Sequence, residues 1–140
     1  MARRSRARQV ALQVLYQEDL NPRYSPADGD ALLARRLATP DLVAFARSLL
    51  EGVRRHRTEL DQTIERTAAH WSLARMAPTD RNALRLGAYE ILYSDTPPRV
   101  AIDEAVELAK RFGTAQSGPF VNGILDALIH GRQQAETSGP

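Results

Sequence analysis

Cysteine is absent from the 140 residues, and lysine occurs only once, at Lys110. Without cysteine the chain has no disulfide, no thiolate metal ligand and no cysteine nucleophile. No apolar run approaches the roughly 20 residues of a membrane-spanning helix, so we expect no membrane segment. The length suits one compact domain with a core and is too short for two independent ones. We therefore expect a single domain in the cytoplasm, whose reducing conditions fit a chain without cysteine.

Motifs for catalysis and for metal binding are also missing. His56, His70 and His130 are scattered without ligand spacing, and neither a glycine-rich phosphate loop nor a G-x-S-x-G elbow is present. Asp103 and Glu104 are adjacent on a predicted helix, so their side chains diverge by about 100° and cannot face each other as a catalytic pair. We expect this acidic segment to be a solvated helix face. The sequence predicts no metal, no cofactor and no enzymatic activity.

Positive charge is concentrated at the start of the chain, although the formal net charge is only +2. Arg3, Arg4, Arg6 and Arg8 precede the first acidic residue, Glu18. Cations at a helix start oppose the helix dipole, and no acidic residue is spaced to pair with them locally. Arginine is suited to bidentate phosphate contacts and to stacking on bases. The cluster indicates a phosphate-binding tip, with two alternatives: a disordered solubilising segment, or an organellar import signal that is removed from the mature protein.

The spacing of apolar residues is helical nearly throughout, and no segment shows convincing strand alternation. In the first predicted helix, for example, Ala7, Val10, Ala11, Val14 and Leu15 form one stripe. The pattern predicts an all-α fold of about seven helices joined by short loops. We expect a single domain over 1–140, with helical halves at about 1–72 and 77–131 and a frayed polar tail at 132–140.

Several helix ends are predicted from local signals. Arg23 to Gly29 is expected to be a polar loop, and Thr39 is expected to cap a helix that begins at Pro40. Thr58 to Asp61 has the spacing of a weak capping box. Gly113 occupies the position of a C-terminal glycine cap, and Ser117 is expected to cap the last helix.

Four segments, in order along the chain, resemble one protein family. They are Arg6-Ala7-Arg8 with the following ALQVLY, WSLAR at 71–75 with DRNALRLGAYE at 80–90, Pro98 with VAIDEAVELAKRFG at 100–113, and Ser117 with FVNGILD at 120–126. Together they resemble the NusB transcription antitermination family. The resemblance covers nearly the whole chain and is weakest over 21–37 and in the tail.

The resemblance implies a fold of two perpendicular three-helix bundles with seven helices in all. It also implies a function. Proteins of this family pair with NusE, a small-subunit ribosomal protein, and the pair binds the boxA sequence of nascent ribosomal RNA transcripts within an antitermination complex with RNA polymerase. Family members occur as monomers and as homodimers, so a homodimer is open for this chain.

Site residues follow from the resemblance by position. It implies RNA binding by the four N-terminal arginines, with Phe120 and Asn122 beside them to meet bases, and a further phosphate contact at Lys110. It implies a partner surface for NusE that contains Tyr16 and Asp80. Each assignment has an ordinary alternative: core packing for Phe120, a local hydrogen bond for Asn122, a solvated helix end for Lys110, and a half-buried edge position for Tyr16.

Ala115 and Gln116 depart from the family pattern, since many relatives carry acidic residues there. We expect the missing negative charge to strengthen sequence-independent RNA affinity. Two other functions stay open. One is a helical protein-interaction scaffold whose basic tip is incidental. The other is a stand-alone relative of the RNA-binding domain of ribosomal RNA methyltransferases, because the chain stops where the methyltransferase domain would begin and could only bind RNA.

Overall fold

The computed structural model of the protein describes residues 2–69 and 71–138, with side chains up to Arg132 in the last helix. The described residues form seven α-helices and one short 3-10 helix, and no strand occurs among them, as the sequence predicts. The helices are α1 Ala2–Leu20, α2 Pro26–Arg36, α3 Pro40–Arg55, α4 Arg57–Thr67, α5 Pro78–Tyr93, α6 Pro98–Phe112 and α7 Ser117–Ser138, with the 3-10 turn at Leu73–Arg75.

Helix α1 lies at the centre of the molecule. Seven of the nine residues from Ala7 to Leu15 are buried, six of them apolar and the seventh Arg8, which is a wider buried arc than the single stripe of a surface helix. This arc packs against α2 and α3 on one side and against α5 and α6 on the other. The first helix therefore holds together elements from both ends of the chain.

Helix α5 is the second buried element, and it packs against α1, α3, α4, α6 and α7. Two glycines allow the close packing around it. A Cβ added at Gly87 would lie 2.6 Å from Leu125 on α7, and one at Gly52 on α3 would lie 2.1 Å from the ring of Tyr89. Both distances are far below van der Waals contact, so any larger residue would push the helices apart.

Two of the predicted helix starts are wrong, and the third, at Pro40 with Thr39 in the cap position, is confirmed without the expected side-chain bond. Helix α2 begins at Pro26, inside the segment predicted as a loop, because Ser25 and Asp28 form a reciprocal capping box. Thr39 makes no capping hydrogen bond to α3. The predicted box at 58–61 does not form because α4 begins at Arg57, one residue before the predicted cap.

Two predictions about later helix ends need correction. Gly113 ends α6 at the predicted cap position, but its φ of −106° is extended and not left-handed. Glycine is needed there because a side chain would not fit: an added Cβ would lie 2.3 Å from the Ser117 hydroxyl oxygen. That hydroxyl accepts a hydrogen bond from the Thr114 N–H at 2.9 Å, at the start of α7. The tail predicted to fray from 132 is helical through Ser138.

A polar cluster joins the carboxyl-terminal end of α1 to the start of α5. Asp19 Oδ2 accepts hydrogen bonds from Arg81 Nε at 2.6 Å and from Asn82 Nδ2 at 2.9 Å. Burial alone would raise the pKa of Asp19, but the hydrogen bonds from Arg81 and Asn82 and the nearby positive charges outweigh burial and lower it. Arg85 also reaches this carboxylate, at 3.4 Å, and donates to Asp61 on α4 at 2.8 Å.

This cluster makes stability depend on pH. Because the folded-state pKa of Asp19 is depressed, its contribution is present above the unfolded value of about 3.9 and is lost as pH falls through the folded value. We expect Asp19→Asn to lower the free energy of unfolding at pH 7 by about 2 kcal/mol. The deficit should shrink as pH falls below about 4, because Asp19 then becomes protonated in the unfolded wild-type chain, and at still lower pH in the folded one. Urea unfolding at pH 7 and pH 3 measures this, and a deficit that is unchanged at pH 3 would contradict it.

Candidate nucleic-acid interface

Arg8, one of the four arginines predicted to bind RNA, is buried and only 6% exposed. Its Nε and Nη2 donate to both carboxylate oxygens of Glu90 on α5, at 2.7 and 2.8 Å, and its Nη1 donates to Glu104 on α6 at 3.2 Å. Burial would lower the pKa of Arg8, but the hydrogen bonds and charges of these two carboxylates outweigh it and raise the pKa. Arg8 is therefore a charged anchor inside the protein, with no surface for a phosphate.

No acidic residue pairs with Arg8 locally, but Glu90 and Glu104 pair with it from 82 and 96 residues away in sequence, so the expectation that its charge serves a phosphate and not internal stabilisation is wrong. The expectation of a solvated acidic face is likewise wrong for Glu104. Its other carboxylate oxygen accepts the Ser5 hydroxyl at 3.0 Å. The Thr96 hydroxyl donates to Glu90 at 2.8 Å, so both carboxylates are fully engaged.

Arg4 lies one helical turn before Arg8 and is exposed. Its guanidinium carbon lies 4.3 Å from the centroid of the Phe45 ring, which Arg8 also approaches at 5.1 Å. Phe45, on α3, is half-buried: its ring packs against the core and also lies next to these two cations. This contact fixes the position of Arg4 while leaving its N–H groups open to a ligand.

Arg3 and Arg6 complete the exposed basic surface. Arg3 donates to the Thr39 hydroxyl at 3.2 Å and lies 3.5 Å from Asp41, in an ion pair whose two side chains are 63% and 71% exposed. An ion pair this exposed contributes about 0–1 kcal/mol and is readily exchanged for another partner. Arg6 is half-buried and donates to Gln9 at 3.3 Å. We call Arg3, Arg4 and Arg6 the basic tip.

A cavity of about 440 Å³ lies beside the basic tip, between α1, the α5–α6 turn and α6. Its lining includes Arg4 and Arg8 but also Asp95 and Glu104. Because the acidic residues match the basic ones in number, the cavity is not a phosphate site. Any phosphate contact must be made on the outer surface of the tip.

Lys110 lies at the other end of α6 from the basic tip. Val100 lines the cavity with Arg4, and Lys110 is ten residues further along the helix, which is about 15 Å. A Cβ added at Gly118 would lie 3.0 Å from the Lys110 side chain, so α7 begins at this same far end. The prediction that Phe120 and Asn122 lie beside the arginines is therefore wrong. The Lys110 ammonium is exposed and 3.7 Å from Glu107.

Phe120 and Asn122 project from different sides of α7, because residues two apart on a helix differ by about 200°. Phe120 is half-buried and packs partly against the core. Its ring centroid is 5.7 Å from that of Trp71, with the planes tilted by 59°. Asn122 is exposed, and its amide makes no hydrogen bond to the part of the chain that the structure describes. The local-cap alternative for Asn122 thus finds no support.

Trp71 is not among the site residues predicted from the sequence, where it appears only within the WSLAR segment at 71–75. It is 52% exposed. The available signal was that the only tryptophan of the chain falls outside any helical stripe.

Tyr16 and Asp80 are placed near one groove. The groove has a volume of about 520 Å³, and its lining includes Tyr16, Tyr24 and Phe112 together with Thr79, the neighbour of Asp80. Tyr16 is 38% exposed, as the edge position predicts. The Oδ1 atom of Asp80 is buried and accepts no hydrogen bond from any group that the structure describes.

The described histidines make ordinary contacts. His56 stacks on Tyr93 with a centroid distance of 3.8 Å and approaches Glu59, while His130 approaches Asp126. His70 lies outside the described residues. Across residues 2–69 and 71–138, no group of three or more His, Asp or Glu side chains is arranged to hold a metal ion. No helix in the described ranges is long and apolar enough to cross a membrane.

Comparison with known proteins matches residues 5–130 to the NusB family. The transcription antitermination protein NusB of Myxococcus xanthus is 46% identical over 138 residues, which cover 91% of this chain and 95% of that protein. The corresponding protein of Desulfitobacterium hafniense is 42% identical over 136 residues, covering 95% of this chain and 92% of that protein.

Solved structures of similar fold include a crystal structure of antitermination factors NusB and NusE in complex with double-stranded RNA. Its matching chain has a TM-score of 0.84 and 30% identity, and the match covers 94% of this chain and 98% of that one. The solution structure of NusB from Aquifex aeolicus has a TM-score of 0.80 and 30% identity, covering 100% of this chain and 95% of that chain.

Two substitutions, each of which removes one positive charge, distinguish the anchoring role of Arg8 from the surface position of Arg6. Arg8→Ala leaves Glu90 buried without its partner, and we expect the free energy of unfolding to fall by about 3–5 kcal/mol. Arg6→Ala should change it by no more than about 0.5–1 kcal/mol. Urea unfolding of both variants measures the difference. Equal effects would mean that the Arg8–Glu90 pair is not a structural anchor.

Proposed function

The chain belongs to the NusB family, and on that premise we propose that it is an RNA-binding adaptor of transcription antitermination. In this proposal it pairs with NusE, binds boxA of nascent ribosomal RNA transcripts and joins the antitermination complex of RNA polymerase. The observation that carries the proposal is the likeness, over 94% of the chain, to a NusB crystallised with NusE and RNA. The curated relatives with the name transcription antitermination protein support the same role.

The basic tip is our candidate for the phosphate contacts. Arg3, Arg4 and Arg6 present guanidinium groups at the surface, and the Phe45 ring restrains one of them. Arg8 is left out of the direct contacts, because it is only 6% exposed and its guanidinium already donates three hydrogen bonds to two carboxylates. We assign it a positioning role instead, since it holds the helix that carries the tip against α5 and α6.

The groove beside Tyr16 is our candidate for the NusE surface. Its lining combines exposed aromatic side chains with polar edges, which is typical of protein interfaces. We include Asp80 in this surface by its position, because it follows Thr79 of the lining and is itself half-buried.

The proposal assigns the chain binding and no catalysis, and it assigns a cytoplasmic location. The alternative of a protein-only scaffold predicts weak RNA binding that is indifferent to sequence. The alternative of a relative of a methyltransferase RNA-binding domain predicts RNA binding that does not depend on NusE. Both are distinguished from the adaptor by the same binding experiment.

The adaptor function predicts selective RNA binding that depends on the basic tip. We expect boxA RNA to bind more tightly than a scrambled RNA of equal length, and NusE to strengthen the preference. The triple variant Arg3→Ala, Arg4→Ala, Arg6→Ala should bind more weakly. Its slope of log affinity against log salt should be flatter by about 0.7 for each phosphate that it no longer neutralises. Fluorescence anisotropy of labelled RNA across a salt series measures both effects.

A matched control is Arg55→Ala, Arg57→Ala, Arg66→Ala, which also removes three exposed arginines, from the end of α3 and from α4, outside the basic tip and outside the lining of the groove at Tyr16. It should leave boxA affinity nearly unchanged in the absence of NusE. Equal binding of boxA and scrambled RNA, with no effect of NusE, would refute the adaptor function and favour the scaffold.

The partner surface has its own test. We expect Tyr16→Ala to weaken NusE binding by about tenfold or more, as for a buried aromatic contact in an interface. Tyr93→Ala is the control, because Tyr93 is 42% exposed at the opposite end of α5 from Asp80. Calorimetric titration with NusE measures both. Unchanged binding by the Tyr16 variant would place the NusE surface elsewhere.

A further inference from the structure

Trp71 is an exposed aromatic residue on a well-anchored segment. At 52% it has the largest exposed fraction among the large apolar side chains that the structure describes as exposed. The segment is fixed two residues later, where the Leu73 N–H donates to Glu65 at 2.9 Å and the Leu73 side chain is buried. Ala69, two residues before Trp71 in sequence, has a φ of 47°, which is rare for a residue with a side chain. The indole is thus exposed next to a segment that is held by a hydrogen bond and a buried side chain.

Phe120 provides a second ring at this position. The Trp71 and Phe120 centroids are 5.7 Å apart and the planes are tilted by 59°, so the Phe120 edge supports the indole without covering both of its faces. Two adjacent, partly exposed rings form the kind of platform on which an unpaired base stacks.

The glycine pattern of α7 points to the same surface. Elsewhere in helices, Gly29, Gly52, Gly87 and Gly118 are each explained by a neighbour that lies 2.1–3.0 Å from an added Cβ. Gly123 and Gly131, both in α7, are different, since an added Cβ at either would meet nothing within 4 Å. Of the two, Gly123 is the one beside Phe120 and Asn122. Glycine inside a helix is unfavourable compared with alanine, and no group of the described chain requires it there.

Gly123 lies between Phe120 and Asn122 on the solvent side of α7. The helical repeat of 100° per residue places it about 60° from Phe120 and about 100° from Asn122 around the axis. Gly123 and Asn122 are both exposed, whereas Val121 and Ile124 face the core. Between the two rings and the Asn122 amide, the backbone of α7 is therefore exposed at Gly123, where no side chain covers it.

We propose that Trp71 and Phe120 form a stacking platform for one base of single-stranded RNA, and that the RNA backbone crosses α7 at Gly123 toward Asn122. This inference rests on the proposed RNA-binding function, and it adds Trp71 and Gly123 to Phe120 and Asn122, which the family resemblance already implies. The base would stack on the indole, the sugar-phosphate would pass where a side chain would otherwise stand, and the Asn122 amide would meet the edge of the next base. Stacking together with close backbone approach favours RNA over a protein segment for this surface.

The first test relies on Trp71 being the only tryptophan. Titration of the wild-type protein with unlabelled boxA RNA should quench its fluorescence at the same concentrations at which labelled RNA becomes bound. Trp71→Ala should weaken binding about tenfold, whereas Trp71→Phe should keep most of it. Because stacking releases no counterions, the salt slope of Trp71→Ala should equal that of the wild type.

The second test compares two glycines of the same helix. Gly131 is equally open to an added Cβ and lies eight residues, or about 12 Å, beyond Gly123. Gly123→Gln and Gly131→Gln should both keep or raise the melting temperature, since glutamine favours helix. Only Gly123→Gln should weaken boxA binding, by about tenfold. Melting curves and anisotropy together distinguish weaker RNA binding from unfolding.

The outcomes distinguish this inference from the proposed function. If the wild type shows no preference for boxA with or without NusE, the function fails and the platform fails with it. If the wild type prefers boxA but Trp71→Ala and Gly123→Gln bind as tightly as it does, the platform alone is refuted. Equal weakening by Gly123→Gln and Gly131→Gln would also refute the crossing at Gly123.

Discussion

The buried pair between Arg8 and Glu90 is the interaction on which the arrangement of this molecule depends. It joins α1 to α5 through two parallel hydrogen bonds, and the hydrogen bond from Arg8 to Glu104 brings in α6. A buried ion pair adds little net stability over a well-packed apolar contact, but removing one partner is severe because the other charge is stranded. The pair therefore acts mainly on geometry. With the Asp19 cluster eleven residues further on, it fixes α1 at two points. A shift of α1 by one residue would leave charges unpaired at both.

This arrangement divides the N-terminal arginines into two kinds. Arg8 uses its charge inside the protein, whereas the basic tip sits on the same helix with only exposed or weak contacts. Because Arg4 and Arg8 share the Phe45 ring, the buried residue also fixes the place of an exposed one. A rigid basic tip loses less conformational freedom on binding a phosphate chain than a disordered one would. Because α1 is helical from Ala2, the structure does not support the alternative that the N-terminal arginines lie in a disordered segment.

The helices were predictable because each buries a stripe with helical period, and that period is visible in the sequence. The ends of the helices were less predictable. Thr39 stands at the cap position of α3 without making a side-chain hydrogen bond, and Thr58 lies inside α4. The capping box of Ser25 and Asp28 lies in a segment that reads as a loop. For the site, local sequence cannot separate Arg6 from Arg8, since the distinguishing carboxylates lie more than 80 residues away. The family resemblance identified Phe120 and Asn122 in the sequence, but it placed them beside the N-terminal arginines, at the wrong end of α6. Their divergence around α7 follows from the helical repeat alone, whereas the approach of Trp71 required the tertiary structure.

Under the proposed function, one rigid helix carries both binding surfaces. Arg4 and Tyr16 are twelve residues apart on α1, about 18 Å, and the Arg8 and Asp19 contacts hold the helix along this length. NusE bound at Tyr16 could not move the basic tip without breaking one of those buried contacts. Coupling between the two ligands must then arise where they meet. The groove at Tyr16 is bounded by Phe112, two residues beyond Lys110, next to the start of α7. An RNA that extends from the basic tip across α7 would reach the edge of that groove, so a protein seated there would contact the RNA directly. Cooperative binding would come from a shared surface and not from a change of shape.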